Sequence, residues 1–108
     1  MGGPKVFAPV TVEAAQLLGS RVRQARRERR WTVAELAERV GVSPVTIRKV
    51  EKGDLTVALG TAFEAAALVG VVLFHVDPTR RALEAEYAAT RLAVLPAAIH
   101  HGQVDDDF

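Results

Sequence analysis

The sequence has no cysteine and only two serines, Ser20 and Ser43. Without cysteine no disulfide, thiolate–zinc site, iron–sulfur cluster or cysteine nucleophile can form. Both serines fall at expected helix ends, and neither a GxSxG elbow nor a phosphate-cradling glycine loop accompanies them, so a serine-hydrolase reading fails. Histidine is scarce too: His75, His100 and His101 show no ligand spacing, and no HExxH or carboxylate cluster joins them. No enzyme activity, metal or other cofactor is therefore expected. No apolar run, Val71 to Phe74 included, approaches the roughly 20 residues that span a bilayer, so no membrane partner is expected. The opening Met1-Gly2-Gly3-Pro4-Lys5-Val6-Phe7 lacks the apolar core and cleavage site of a secretory signal, which points to the cytoplasm.

What is present suits one compact domain: 108 residues, 49% of them apolar and 25% charged. A chain this short buries only roughly two-thirds of its unfolded surface, so an apolar face left over favours self-association. The net charge of +1 hides a gradient. Between Ser20 and Gly53, ten basic residues (Arg21, Arg23, Arg26, Arg27, Arg29, Arg30, Arg39, Arg48, Lys49, Lys52) face four acids (Glu28, Glu35, Glu38, Glu51), an excess of +6. The rest of the chain carries −5. Such a run is either a solvated helix face or a surface for a polyanion.

Residues 1–10, with Gly2, Gly3, Pro4 and Pro9, read as an extended arm ahead of a domain at 11–95. A first helix capped by Thr11 should run to about Arg29, with Ala15, Leu18, Val22 and Ala25 on one stripe. Thr32-Val33-Ala34-Glu35 is a capping box that opens a second helix, with Val33, Leu36, Ala37 and Val40 on one face and Gly41 ending it. Ser43 caps a third, Pro44 takes its first position and Gly53 closes it. A fourth, about Ala58 to Val69, buries Leu59, Ala62, Phe63, Ala66 and Val69 before Gly70. Residues 71–76 (Val71, Val72, Leu73, Phe74, His75, Val76) then read as the lone strand of an otherwise all-α, five-helix fold. Asp77 and Pro78 start a fifth helix to about Val94, with Leu83, Tyr87, Ala88 and Leu92 on its apolar side. Pro96 ends it, and 96–108 reads as a flexible acidic tail. A lone strand leaves its amides unpaired, and the nearest identical edge is that of a second copy. Val71, Val72, Leu73, Phe74 and Val76, extended by Leu83 and Tyr87, are therefore the expected interface of a homodimer.

The spacing from Val33 carries the functional signal. Ala37 is small where two helices cross closely, Gly41 takes the turn, and Ile47 and Val50 pin the next helix to the core, as a helix-turn-helix demands. An ordinary helical hairpin shares that periodicity, but it does not require the outward face of its second helix to be basic. Here Pro44, Val45, Arg48, Lys49 and Lys52 point outward, on the element that enters the major groove of DNA.

Arg21-Val22-Arg23-Gln24-Ala25-Arg26, Trp31-Thr32-Val33-Ala34-Glu35-Leu36-Ala37, Gly41-Val42-Ser43, Thr46-Ile47 and Val50-Glu51-Lys52-Gly53 resemble the Xre/Cro repressor family over Leu18 to Val71. More narrowly, Phe7-Ala8-Pro9, Gly70-Val71-Val72-Leu73-Phe74 and the tail make the chain similar to HipB-type antitoxins. The resemblance implies a homodimeric repressor on an inverted-repeat operator in double-stranded DNA, with a HipA-type kinase toxin as second partner. It places base readers at Pro44, Val45 and Lys49 and phosphate contacts at Ser43, Thr46 and Arg48, with Lys52 and Thr32 beside them. It also implies a structural pair between Arg26 and Glu51. Where the family usually has glutamine this chain has Val33, and where it usually has glycine before the aromatic it has Arg30, a further candidate phosphate contact. A stand-alone regulator without a toxin remains the alternative; a pure interaction module fits the basic segment poorly. The tail's Asp105, Asp106, Asp107 and Phe108 read either as a solubilising end or as a docking peptide for a toxin or for the protein's own arginines.

Overall fold

In a computed structural model, residues 6–74 and 76–97 are described. They form five helices: α1 (Pro9–Glu28), α2 (Val33–Val40), α3 (Pro44–Lys52), α4 (Leu59–Leu68) and α5 (Pro78–Ala93). The chain divides into two compact units, Met1–Leu73 and Phe74–Phe108. The fold is all-α, as the helical periodicities predict.

In the first unit the core is Val22, Leu36, Ala37, Ile47, Val50, Ala65, Ala66 and Val69. α1 begins at Pro9 rather than after Thr11, with Ala8 in the cap position. Proline, already fixed near a helical φ and lacking an amide to satisfy, starts the helix without a side-chain cap. α2 opens on the expected box: the Thr32 hydroxyl accepts from the Glu35 amide at 3.0 Å, and the Thr32 amide donates to the Glu35 carboxylate at 2.7 Å. Gly41 and Gly53 end α2 and α3 at φ of +89° and +79°.

α4 departs from expectation on its buried face. Leu59 is 68% exposed and Phe63 only half-buried, while the small side chains of Ala65 and Ala66 fill the core. Small residues let this helix approach α1 and α2 closely, which a stripe of bulky ones prevents.

The strand expected at 71–76 does not form among the described residues of that segment. The Val71 amide closes α4 by donating to the Ala66 carbonyl at 2.9 Å, and Val72 and Leu73 make no backbone hydrogen bond among the described residues. A strand exists only as part of a ladder, and among the described residues no other segment supplies a second edge. Val71 and Leu73 pack against the core, whereas Val72, Phe74 and Val76 are exposed. His75 lies outside the described residues, as do His100, His101 and the tail residues Asp105, Asp106, Asp107 and Phe108.

In the second unit Asp77 caps α5 through the Thr79 amide at 3.0 Å, with Pro78 in the first turn. None of its residues is buried, so the apolar side expected of Leu83, Tyr87, Ala88 and Leu92 is exposed.

Candidate nucleic-acid interface

Two buried side chains fix the rotation of α3. Ile47 and Val50 are 0% and 4% exposed, so the residues half a turn away face solvent. Pro44, Val45, Arg48, Lys49 and Lys52 are all exposed. At its start the Ser43 hydroxyl accepts from the Thr46 amide at 3.2 Å and shares a hydrogen bond with the Thr46 hydroxyl at 3.1 Å. Its end is anchored by contact with α1: a side chain at Gly53 would meet the Gln16 backbone at 2.8–2.9 Å. The turn before α3 is held by the Gly41 and Val42 amides, both donating to the Ala37 carbonyl, at 2.8 and 3.0 Å. α3 is thus a short, rigid rod with one face presented outward.

Beneath it, Arg26 and Glu51 form the bidentate pair that the resemblance implies. The Arg26 guanidinium donates to Glu51 at 2.7 and 3.1 Å and to the Trp31 carbonyl at 2.8 Å. The pair ties α1 to α3 and spends both charges locally. It also floors a cleft of about 250 Å³ that Arg23, Val33, Arg48 and Lys52 complete. Among the described residues Arg23, Arg48 and Lys52 have no acidic partner. Three unpaired cations around a neutralised pair give the cleft a positive field suited to a phosphate. Arg23, contributed by α1, is a site residue that sequence reasoning missed. The available signal was its position one turn from both Gly19 and Arg26 on the helix edge that meets α3.

Other basic residues of the segment do structural work instead. Arg29 donates to the Val69 carbonyl at 2.6 Å, placing a cation at the C-terminal end of α4 where the helix dipole favours it. The Arg39 guanidinium lies 4.0 Å from the centre of the Trp31 ring. The charge count over 20–53 therefore overstates the cations free for a ligand, since Arg26, Arg29 and Arg39 serve the fold. Arg30 is exposed, with φ of +60°, the left-handed conformation that ordinarily calls for glycine.

Two carboxyl groups near the face titrate low. Glu35 is held below the ordinary carboxylate range chiefly by the Thr32 amide, which outweighs the opposing effect of desolvation, with further help from the Thr32 hydroxyl and Arg39. Asp54 is lowered chiefly by the Thr56 hydroxyl and amide, with Lys49 contributing. Thr32 and Ser43 remain exposed, but both hydroxyls are engaged in caps. Among the described residues no three His, Asp or Glu side chains gather in an arrangement suited to a metal ion, and no helix is long and apolar enough to cross a membrane.

Residues 22–72, a little under half of the chain, match the family described as helix-turn-helix. The segment spans the last third of α1 and all of α2, α3 and α4, and the two-helix unit at its centre is of the kind whose second helix enters the major groove of DNA. No curated protein and no solved structure matches the chain.

Proposed function

We propose that this helix-turn-helix protein is a sequence-specific transcriptional repressor that binds double-stranded DNA in the cytoplasm as a homodimer, on an inverted-repeat operator. The proposal assigns it no catalytic step. The observation that carries it is the outward face of α3, where Val45, Arg48, Lys49 and Lys52 stand exposed beside the Arg23 cleft while Ile47 and Val50 fix the helix from behind. Residues at the start of α3 meet base edges, and Arg23, Arg48, Lys52 and Arg30 meet phosphates. Ser43 and Thr46 reach the backbone through hydroxyl protons or water, as Thr32 does at the start of α2.

Phosphate contacts release counterions, so affinity must fall with salt by a slope of about 0.9 per phosphate neutralised. The test is duplex binding by the full chain across a salt series. Arg48→Ala should weaken all sequences alike and flatten the slope by about one unit, whereas Lys49→Ala should relax preference at one base pair. Affinity that is unchanged between low and moderate salt sinks the proposal.

Dimerisation is supported by the exposed apolar side chains of Val72 in the first unit and of Phe74, Val76, Leu83 and Tyr87 in the second. The finer reading, an antitoxin paired with a HipA-type kinase toxin, draws its support from the resemblance at Phe7-Ala8-Pro9 and Gly70 to Phe74 and from the composition of the tail. A kinase-like reading frame beside this one, whose product co-purifies with the full chain and is lost on deleting residues 102–108, is the result it requires. Repression without such a neighbour leaves a stand-alone regulator.

A further inference from the structure

We infer that the reading face of α3 recognises thymine and guanine edges and carries nothing for the amino groups of adenine or cytosine; this rests on the DNA binding proposed above. With about 100° between successive residues, Val45 and Lys52 lie near the middle of the face opposite Ile47 and Val50, and Arg48 and Lys49 flank them. Val45 is 56% exposed and purely apolar. Arginine and lysine are donors only, and Pro44 has no polar side-chain atom.

The acceptors nearby are spent or lie off this face. Both Glu51 oxygens hold Arg26 at 2.7 and 3.1 Å, with that carboxylate only 6% exposed. The Ser43 oxygen takes the Thr46 amide and the two hydroxyls bond each other, while Thr46 is partly buried and lies about 110° round the helix from the middle of the reading face. Asp54 lies past the C-terminal end of α3, away from the end that meets base edges, and one of its oxygens takes both the Thr56 amide and hydroxyl, at 2.7 and 2.6 Å.

In the major groove guanine shows two acceptors, thymine an acceptor and a methyl group, adenine an acceptor and an amino group, and cytosine an amino group. Every group on guanine and thymine therefore meets a complement on α3, while the amino groups of adenine and cytosine meet only donors and methyls. Val45 and Lys49 are one turn apart, about 6 Å along the axis, or roughly two base steps. Each half-site should accordingly contain a thymine whose methyl meets Val45 and, within about two steps, a guanine that accepts from Lys49.

The experiment is selection of duplexes by the full-length wild-type protein, followed by single-atom changes in the best half-site. Replacing the key thymine by uracil removes only its methyl and should weaken binding on the order of fourfold, a loss that disappears in Val45→Ala. Replacing the key guanine by 7-deazaguanine should weaken binding in the wild type but not in Lys49→Ala. Selected half-sites whose affinity instead depends on an adenine or cytosine amino group, with no effect of uracil, overturn the inference and leave DNA binding standing. Failure to bind any duplex overturns both.

Discussion

Gly19 and Gly60 both lie inside helices, yet their surroundings give the same substitution opposite signs. A Cβ at Gly19 would collide with the Val50 carbonyl oxygen and stand 2.6 Å from that of Glu51, so α1 and α3 must separate to admit it. A Cβ at Gly60 would meet nothing within 4 Å. Alanine gains about 1 kcal/mol of helix propensity over glycine at either position. At Gly60 that gain stands alone, and Gly60→Ala should stabilise by about 0.5–1 kcal/mol. At Gly19 the clash is with rigid backbone, overpacking of about 1–3 kcal/mol or more exceeds the propensity gain, and Gly19→Ala should destabilise. Urea unfolding of the two variants reads both signs. Arg30 offers a third contrast. Its φ of +60° costs an L-residue roughly 1–2 kcal/mol that glycine is spared. Arg30→Gly should therefore raise the melting temperature while lowering DNA affinity and the salt slope by about one phosphate's worth, and a variant that is stabilised with unchanged affinity removes Arg30 from the interface.

Among the elements, α2 depends most on its first turn, because eight residues make a marginal helix alone. Thr32→Ala should cost about 1 kcal/mol through loss of the cap. The same box is pH-sensitive. Glu35 has a lowered carboxyl pKa in the folded state, so its stabilising effect is fully present above the ordinary glutamate value of about 4.3 and is lost as pH falls through the lowered folded value. Thermal melts over that acid range should show a decline that Glu35→Gln flattens. The junction of α1 with α3 is a different case, since Arg26 and Glu51 are buried together. Removing the guanidinium strands a carboxylate, and Arg26→Ala should cost roughly 3–5 kcal/mol in chemical denaturation, whereas a paired replacement of both residues by apolar ones should cost much less.

For the whole molecule, the question is what the exposed apolar residues meet. Among the described residues Val72 makes no backbone hydrogen bond, and it is exposed, so Val72→Pro leaves the helices of a single chain untouched. If a second copy pairs with this segment, the proline removes a ladder amide. The expected result is a monomer by sedimentation at micromolar concentration, with unchanged helix content and weakened operator binding. A two-subunit mass for the variant excludes the segment from the interface.

The helix-turn-helix was legible in the sequence because its marks are local. A capping threonine with glutamate three residues on, a glycine at each helix end and a proline at a first helical position act within one turn, and Ile47 and Val50 define the inward face of α3 by spacing alone. What lay beyond reach depends on neighbours distant in the chain. Arg29 and Arg39 look like ligand cations until the Val69 carbonyl and the Trp31 ring are found beside them. Gly19 looks like a helix defect until α3 lies against it, and Arg23 becomes a site residue only when the α1–α3 crossing sets it beside Arg48 and Lys52. Residues 71–76 have a strand's composition, but composition supplies no partner edge, and pairing is a property of two segments. Local hydrogen bonding and helical period follow from the order of residues; which charges are spent, which glycines are compressed and which strands pair are decided only when separate segments meet.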